Sequence, residues 1–518
     1  MGVISVRRVL AVFFGLVLSI ETGACLGQTP ASELGIFQGQ TDIGAISPPG
    51  EAKLDAERGI YTVEAAGDNM WSTVDAFHFV WKKSSGDEAI AAKIAFPSSS
   101  GNPSPHRKAV LIFRQTLDAD GIYVDAAQHG SGMTALQYRR KRGATTQDIE
   151  LNIDSPQELR LEKRGDTFTI FLSNHGEPLH QVGASIKLHL DEPFYAGIGV
   201  CSHNKDVVEK ATFSDLKLER LQPEQVSGQA TLYSTLQTIG IEDNFRRAMV
   251  VSTGPGRMEA PNWTRDGKKL IFNRDGHIWT ISLEGGAATM INTGDATQCT
   301  GSHGLSPDGK WLAISCSRPG IPETRVYIVP SDGGKPRLLT KNPSSYFHSW
   351  SPDGKTIAFT RPNGAGGGNI LSIPFEGGEE MALTTGSGIS DDPDYSADGK
   401  WIYFNSDRAG GLMQIWRMRP DGSSAEQVTS DDFNNWTPHP SPDGKSIVIV
   451  SYDKDVKGHP TNQNIALRIV NVSDGKTRVL VNLVGGAGTD NVPNWAPDGV
   501  HLAFVSYQTL HDGGPSQN

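Results

Sequence analysis

Cysteine is scarce in this chain, with four in 518 residues. A small fold stapled by several disulfides is therefore excluded, and the polypeptide must hold itself together by packing. Beyond the first twenty residues no segment is apolar for long enough to cross a membrane as a helix. Basic charge is also in short supply. Lys and Arg total 47 against 58 Asp and Glu, leaving a formal charge of −11. A phosphate backbone recruits the opposite sign, so nucleic acid is excluded as a partner. The single dense basic run, Arg139-Arg140-Lys141-Arg142, reads as a solvated strand end. What is plentiful is glycine (58) and proline (30), beside an apolar fraction of 37%, the composition of a turn-rich globular protein. The length is too great for one core and calls for two or more domains.

The N-terminus has the layout of an export signal over residues 1–27: Arg7-Arg8, an apolar run from Val9 to Ile20, then Thr22-Gly23-Ala24-Cys25. A second reading makes Cys25 a lipid anchor, although Thr22 stands where such signals prefer Leu. Either way the expected location is periplasmic or secreted. In an oxidising compartment Cys299 and Cys316, which flank a hairpin turn, could meet across adjacent strands. Their register looks two residues off, so two separate buried thiols is the competing reading. Cys201 has no obvious partner.

An internal repeat dominates the C-terminal half. Six Asp-Gly turns recur as Trp263-Thr-Arg-Asp-Gly, Leu305-Ser-Pro-Asp-Gly, Trp350-Ser-Pro-Asp-Gly, Tyr395-Ser-Ala-Asp-Gly, Pro440-Ser-Pro-Asp-Gly and Trp495-Ala-Pro-Asp-Gly. Each turn is followed by an alternating apolar run, a second run, a Gly-centred turn and a short closing strand. Four short strands per unit with period-2 alternation is the pattern of a propeller blade. The sixth copy is cut short, and strands within 232–251 are placed to complete it and remove the open edges. The expectation is all-β: an N-terminal β-sandwich over 34–222, a polar linker from Gln222, and a six-bladed β-propeller over 228–518.

The repeat W-S-P-D-G-K followed by an apolar strand resembles the TolB-like six-bladed propeller family, also seen in the propellers of prolyl oligopeptidase relatives. No Gly-x-Ser-x-Gly elbow accompanies it, so the peptidase nucleophile of those relatives is missing. The amino-terminal domain of true TolB is not evident either. In the first domain, Trp71-Ser-Thr-Val-Asp-Ala-Phe-His-Phe and Phe194-Tyr-Ala-Gly-Ile-Gly-Val look like concanavalin-like sandwich domains, which often bind sugars on exposed aromatics. Against that, Trp71, Phe77, Phe79 and Trp81 read as core or inter-domain packing.

Candidate chemistry lies four to eight residues before each Asp-Gly turn, where the first strands converge on the channel mouth. That rule collects Glu259, His303, His348, Asp391, Asp392, Asn435, His439 and Asn491. The long stretch Tyr452–Gln463, carrying Asp453, Lys454 and His459, reads as a loop over the same mouth. Imidazole with carboxylate suits a divalent cation (Mn, Zn or Ca), and His can serve as a general base. His303, His348 and His439 with Asp391 and Asp392 are the expected metal or catalytic set. Two functions follow as expectations. One is an exported scaffold binding a protein or glycan ligand at the propeller mouth, as the TolB resemblance implies. The other is a metal-dependent carbohydrate-active enzyme, since oligogalacturonate lyases are similar propellers with a His-rich metal centre.

Overall fold

The computed structural model describes residues 33–97, 103–151, 153–174, 179–222, 230–241, 247–253, 256–363, 368–386 and 388–511. The expected export signal with Cys25, and all of the expected linker after Gln222, lie outside the described residues. Among the described residues there is no α-helix, and so no helix long and apolar enough to cross a membrane.

The repeats fold as a propeller whose unit is built around its first turn. In the third repeat, strand Tyr346–Trp350 turns through Asp353-Gly354 into Thr356–Pro362, then Gly368–Pro374 and the short Met381–Ala382. Ser351 Oγ donates to Asp353 Oδ1 at 2.6 Å, and the Lys355 amide donates to the same oxygen at 3.1 Å. The Thr356 amide closes the clasp on Ser351 Oγ at 2.9 Å. Gly354 has φ 72°, a left-handed conformation that a side chain would strain, which is why Gly follows Asp here. The hydroxyl–carboxylate bond recurs in the first, second, fourth and fifth repeats at 2.6, 2.6, 2.7 and 2.6 Å.

The tryptophan just before the clasp joins neighbouring blades. Trp350 Nε1 donates to the Gly304 carbonyl at 2.9 Å, Trp263 to the Asn494 carbonyl at 2.9 Å, and Trp495 to the His439 carbonyl at 2.9 Å. Each accepting carbonyl belongs to the inner strand of the preceding repeat, one residue before that strand's own Trp-equivalent position. A bulky indole upstream of a tight turn is thus both wedge and hydrogen-bond donor.

Five separate four-stranded blades form, at 258–290, 298–338, 346–382, 390–427 and 433–485, rather than the six expected. In the sixth repeat the inner strand is reduced to a single bridge, Trp495 with Leu502. Its partner His501–His511 pairs with Ala230–Gly240 over eleven residues, and Ala230–Gly240 pairs with Arg247–Thr253. That last strand then runs parallel to Gln147–Glu150 of the N-terminal region, through Ile149 with Arg247 and Glu150 with Ala248. These strands therefore merge into a ten-stranded sheet instead of standing alone.

The N-terminal region supplies the rest of that sheet and a second, seven-stranded one. Leu111, Phe113 and Ile198 from the first meet Ile90, Leu161 and Ile170 from the second in one apolar cluster, which Met249 of the propeller side joins. Phe77 and Phe79 are fully buried in a further cluster, and Trp81 packs edge-on to Tyr195 at 5.2 Å. These aromatics are packing elements.

Cys299 and Cys316 form a disulfide. They lie directly opposite one another because a bulge between Cys299 and His303 absorbs the two-residue offset that the sequence spacing implies. Cys201 is a free, buried thiol.

Leu236, fully buried on strand Ala230–Gly240, packs in one cluster with Leu270 and Phe272 of the first blade. Leu236→Ala is expected to lower the unfolding free energy by about 3 kcal/mol, read from the urea midpoint at unchanged m. A loss near zero would mean that these strands do not hold the ring together.

Candidate functional site

The inner strand of every complete blade carries a bulge just before its clasp: Glu259/Asn262, Cys299/His303, Phe347/Ser349, Asp391/Asp394 and Trp436/His439. Bulges re-aim side chains, and here they do so at the channel. Within three of them Ala260, Asp392 and Thr437 take φ of 56°, 50° and 50°, a strained setting for residues with a Cβ. At the fourth blade this lets the consecutive residues Asp391 and Asp392 face the same imidazole.

That imidazole is His348 of the third blade. Its Nε2 lies 3.4 Å from Asp391 Oδ1 and its Nδ1 lies 3.3 Å from Asp392 Oδ1. The three residues offer ligand atoms that all lie within 4.8 Å of one another. They form part of the wall of a cavity of about 410 Å³, whose lining also includes Tyr346, Trp436, His459 and Asn491. His459, from the loop between Ser446–Asp453 and Gln463–Asn471, stacks on Trp436 with ring centroids 5.0 Å apart. The loop is pinned there by Tyr452 Oη, which donates to the Pro460 carbonyl at 2.8 Å. Asp392 Oδ2 and His459 Nε2 are buried atoms without a hydrogen-bond partner.

The charge states follow from burial. Desolvation pushes His348 down to about 4, with Asp391 opposing and His439 assisting. His459 is likewise pushed down to about 4 by burial, so both rings are neutral at pH 7. Asp392 is held well above the usual carboxylate range by burial and by its like-charged neighbours Asp391 and Asp490. Asp490 is raised to about 6 by burial, against the pull of His439 and the Thr437 hydroxyl that donates to it at 2.9 Å. No Lys or Arg among the described residues forms an ion pair with Asp391, Asp392 or Asp490.

The other expected site residues are placed differently. His439 lies four residues before its turn Asp, whereas His303 and His348 lie five before theirs, so strand alternation turns it another way. Its Nδ1 meets Asp394 Oδ2 at 2.9 Å and its Nε2 meets the Asp490 carbonyl at 2.6 Å. Burial acts against protonation of His439, but these partners hold it above its ordinary value. His303 is fully buried and pushed down to about 4, apart from the His348 group. Glu259 accepts from the Arg257 guanidinium. Asn435 is fully buried in a network with Gln414, Ser451 and Arg468. Asn491 lines the mouth and accepts from the Gly488 amide at 2.7 Å. Asp453 and Lys454 are exposed away from it; Asp453 lines a separate cleft. Tyr346 and Trp436 were not among the expected residues. A strict count would have found them, because both stand seven residues before their turn Asp, in register with Glu259, Asp391 and Asn491.

Residues 347–513 match the profile of the TolB beta propeller domain. An uncharacterized protein of Agrobacterium fabrum is 46% identical over 263 residues, which is 51% of this chain and 89% of that protein. The chain belongs to the TolB-like β-propeller family. A solved structure described as a candidate TolB from Agrobacterium tumefaciens is 43% identical with a TM-score of 0.52, and the match covers 54% of this chain and all of that one. The Tol-Pal system protein TolB of Francisella tularensis is 27% identical over 122 residues, 22% of this chain and 27% of that protein.

A histidine that the fold keeps neutral binds its proton only on unfolding, so it costs stability as pH falls from its ordinary 6.5 toward 4. Asp490, raised to about 6, acts oppositely as pH falls through 6, because the folded state takes its proton first. Removing one imidazole isolates one proton. His303→Gln is expected to lose about 1.4 kcal/mol per pH unit less than the unaltered chain between about pH 6 and pH 4.5, measured by urea titration. Parallel slopes would mean that His303 is not held neutral.

Proposed function

We propose that this chain is an exported TolB-like propeller that binds a protein or glycan ligand at the channel mouth, through a divalent cation (Mn, Zn or Ca) held by His348, Asp391 and Asp392. One observation carries the reading: an imidazole and two carboxylates from adjacent blades gather in the wall of a cavity of about 410 Å³. Carboxylates crowded without a basic partner, beside a neutral imidazole with one ring nitrogen able to donate its lone pair, form a donor set for such a cation. Tyr346, half-buried at the mouth, supplies aromatic surface against which a sugar ring or an apolar side chain packs, with Trp436 behind His459 in the same wall. Membership of the TolB-like family supports a binding role for the propeller.

The same mouth supports a second reading, a metal-dependent polysaccharide lyase, on the strength of His459. Its partnerless Nε2 beside the cation set is placed to accept a proton, although burial, by pushing the ring down to about 4, makes it a weak base. Three finer points belong to the proposal. Strands Ala230–Gly240, Arg247–Thr253 and His501–His511 act as a sixth blade that closes the ring. The two N-terminal sheets form a concanavalin-like sandwich. Export is supported by the Cys299–Cys316 disulfide, since such bonds persist outside the reducing cytosol.

Titration calorimetry of MnCl₂, ZnCl₂ and CaCl₂ into metal-stripped protein is expected to give about one site per chain for at least one cation. Asp392→Asn is expected to weaken it by about a hundredfold, while raising the thermal stability of the metal-free protein by removing a buried acid whose ionised form burial and its acidic neighbours disfavour. Absence of binding by all three ions sinks the cation. Quenching of Trp436 by added oligosaccharides or peptides then tests the ligand site alone, and an unsaturated sugar product, seen by ultraviolet absorbance, would favour the lyase.

A further inference from the structure

Away from the channel, a cleft of about 670 Å³ lies between the N-terminal sheets and the propeller. One wall is strand His180–Lys187 of the seven-stranded sheet; the others are strands Gln463–Asn471 and Thr477–Gly485 of the fifth blade and His501–His511. Its floor contains Arg247, on the strand that stitches propeller to N-terminal sheet.

Arg247 is an unusual residue to find there. It is 2% exposed, and a guanidinium keeps its charge in any protein environment. Its Nη2 reaches only the hydroxyl of Tyr138, at 3.4 Å, and its Nε is a buried atom with no partner. No carboxylate among the described residues forms an ion pair with it. Asp148 exerts a pull too weak to offset burial, and Arg140 repels it. Elsewhere in the same region buried arginines do reach a carboxylate: Arg114 and Arg139 both bond to Asp75, at 2.7 Å. A buried charge left without its counter-charge is destabilising, so its retention calls for an anion supplied from outside.

The surroundings carry the same sign. Arg140, from the basic run that reads in the sequence as a mere strand end, stacks 4.9 Å over the Tyr138 ring and donates to the Lys187 carbonyl at 2.6 Å. Its Nη2 is also buried and partnerless. Lys187 itself lines the cleft and is exposed. In a chain of net charge −11 this is a local reversal. Asp453 is the one acidic residue of the lining; the remainder is neutral and rich in amides, with Asn462, Asn464, Asn482 and Gln508 among it. Side-chain amides offer paired donors and acceptors suited to vicinal hydroxyls.

We infer that this cleft is a second ligand site, taking an oxyanion-bearing, hydroxyl-rich molecule (an acidic sugar or a sugar phosphate) whose anionic group seats on Arg247 and whose hydroxyls meet the amide wall. The site is independent of the channel mouth and stands whether or not the mouth holds a cation.

Calorimetry with glucuronate, glucose 6-phosphate and uncharged glucose tests it on the full chain. At least one acidic probe is expected to bind at least about tenfold more tightly than glucose and to weaken as salt is raised; which one binds distinguishes carboxylate from phosphate. Arg247→Met is expected to abolish that preference without lowering the melting temperature of the ligand-free protein, since it removes an unmatched buried charge. Arg247→Lys, which keeps the charge but not the fork, is expected to weaken the acidic probe while the fold is kept, and it serves if the Met variant does not fold. Asp392→Asn at the mouth should leave binding intact. Equal affinity for acidic probes and glucose, or undiminished binding by the Arg247 variants, overturns the proposal.

Discussion

The interaction on which the rest of the propeller depends is the clasp at each inner hairpin. A hydroxyl and a backbone amide converge on one carboxylate oxygen, and a left-handed glycine follows. The clasp fixes where the first strand ends and therefore which residues stand four to seven positions upstream at the channel. The indole one step before it then reaches a carbonyl of the neighbouring blade, so a local turn motif also sets the spacing between sheets. Five independent repetitions of one short-range geometry place side chains from distant parts of the chain around a common axis.

Around that axis the low dielectric decides the charge states. Imidazoles are kept neutral where no acid is bonded to them, as at His303, while His439 is held protonatable by Asp394. Carboxylates are raised where they crowd, as at Asp392 and Asp490. The mouth therefore carries unspent electrostatic potential, and the cleft at the domain junction carries the opposite kind through Arg247. In the proposed reading the mouth takes a cation and the cleft takes an anion.

The repeat was legible because the spacing of Asp-Gly turns is nearly constant and strand periodicity is local. Blade number was harder to read, since the last repeat's inner strand shrinks to one bridge and its partners join the N-terminal sheet. The Cys299–Cys316 register was obscured by the bulge that absorbs two residues. The site was half legible. Asp391, Asp392 and His348 were legible from their place four to eight residues before a turn Asp, and His459 from the length of the loop that carries it. His303 and His439 were grouped with them although one residue of offset turns His439 to Asp394. Tyr346 and Trp436 were not singled out in the sequence, and nothing in the run Arg139–Arg142 pointed to a cleft that forms only when Arg247 is brought beside it.

By itself the sequence determined the secondary structure of each unit and the turn that repeats, because hydroxyl, carboxylate, glycine and alternating apolar residues act over a few positions of chain. Only the tertiary structure decided which polar groups lack partners. That quantity depends on the approach of strands separated by tens to hundreds of residues, such as His348 with Asp392 and Tyr138 with Arg247. Burial makes such mismatches costly, and no linear pattern records them.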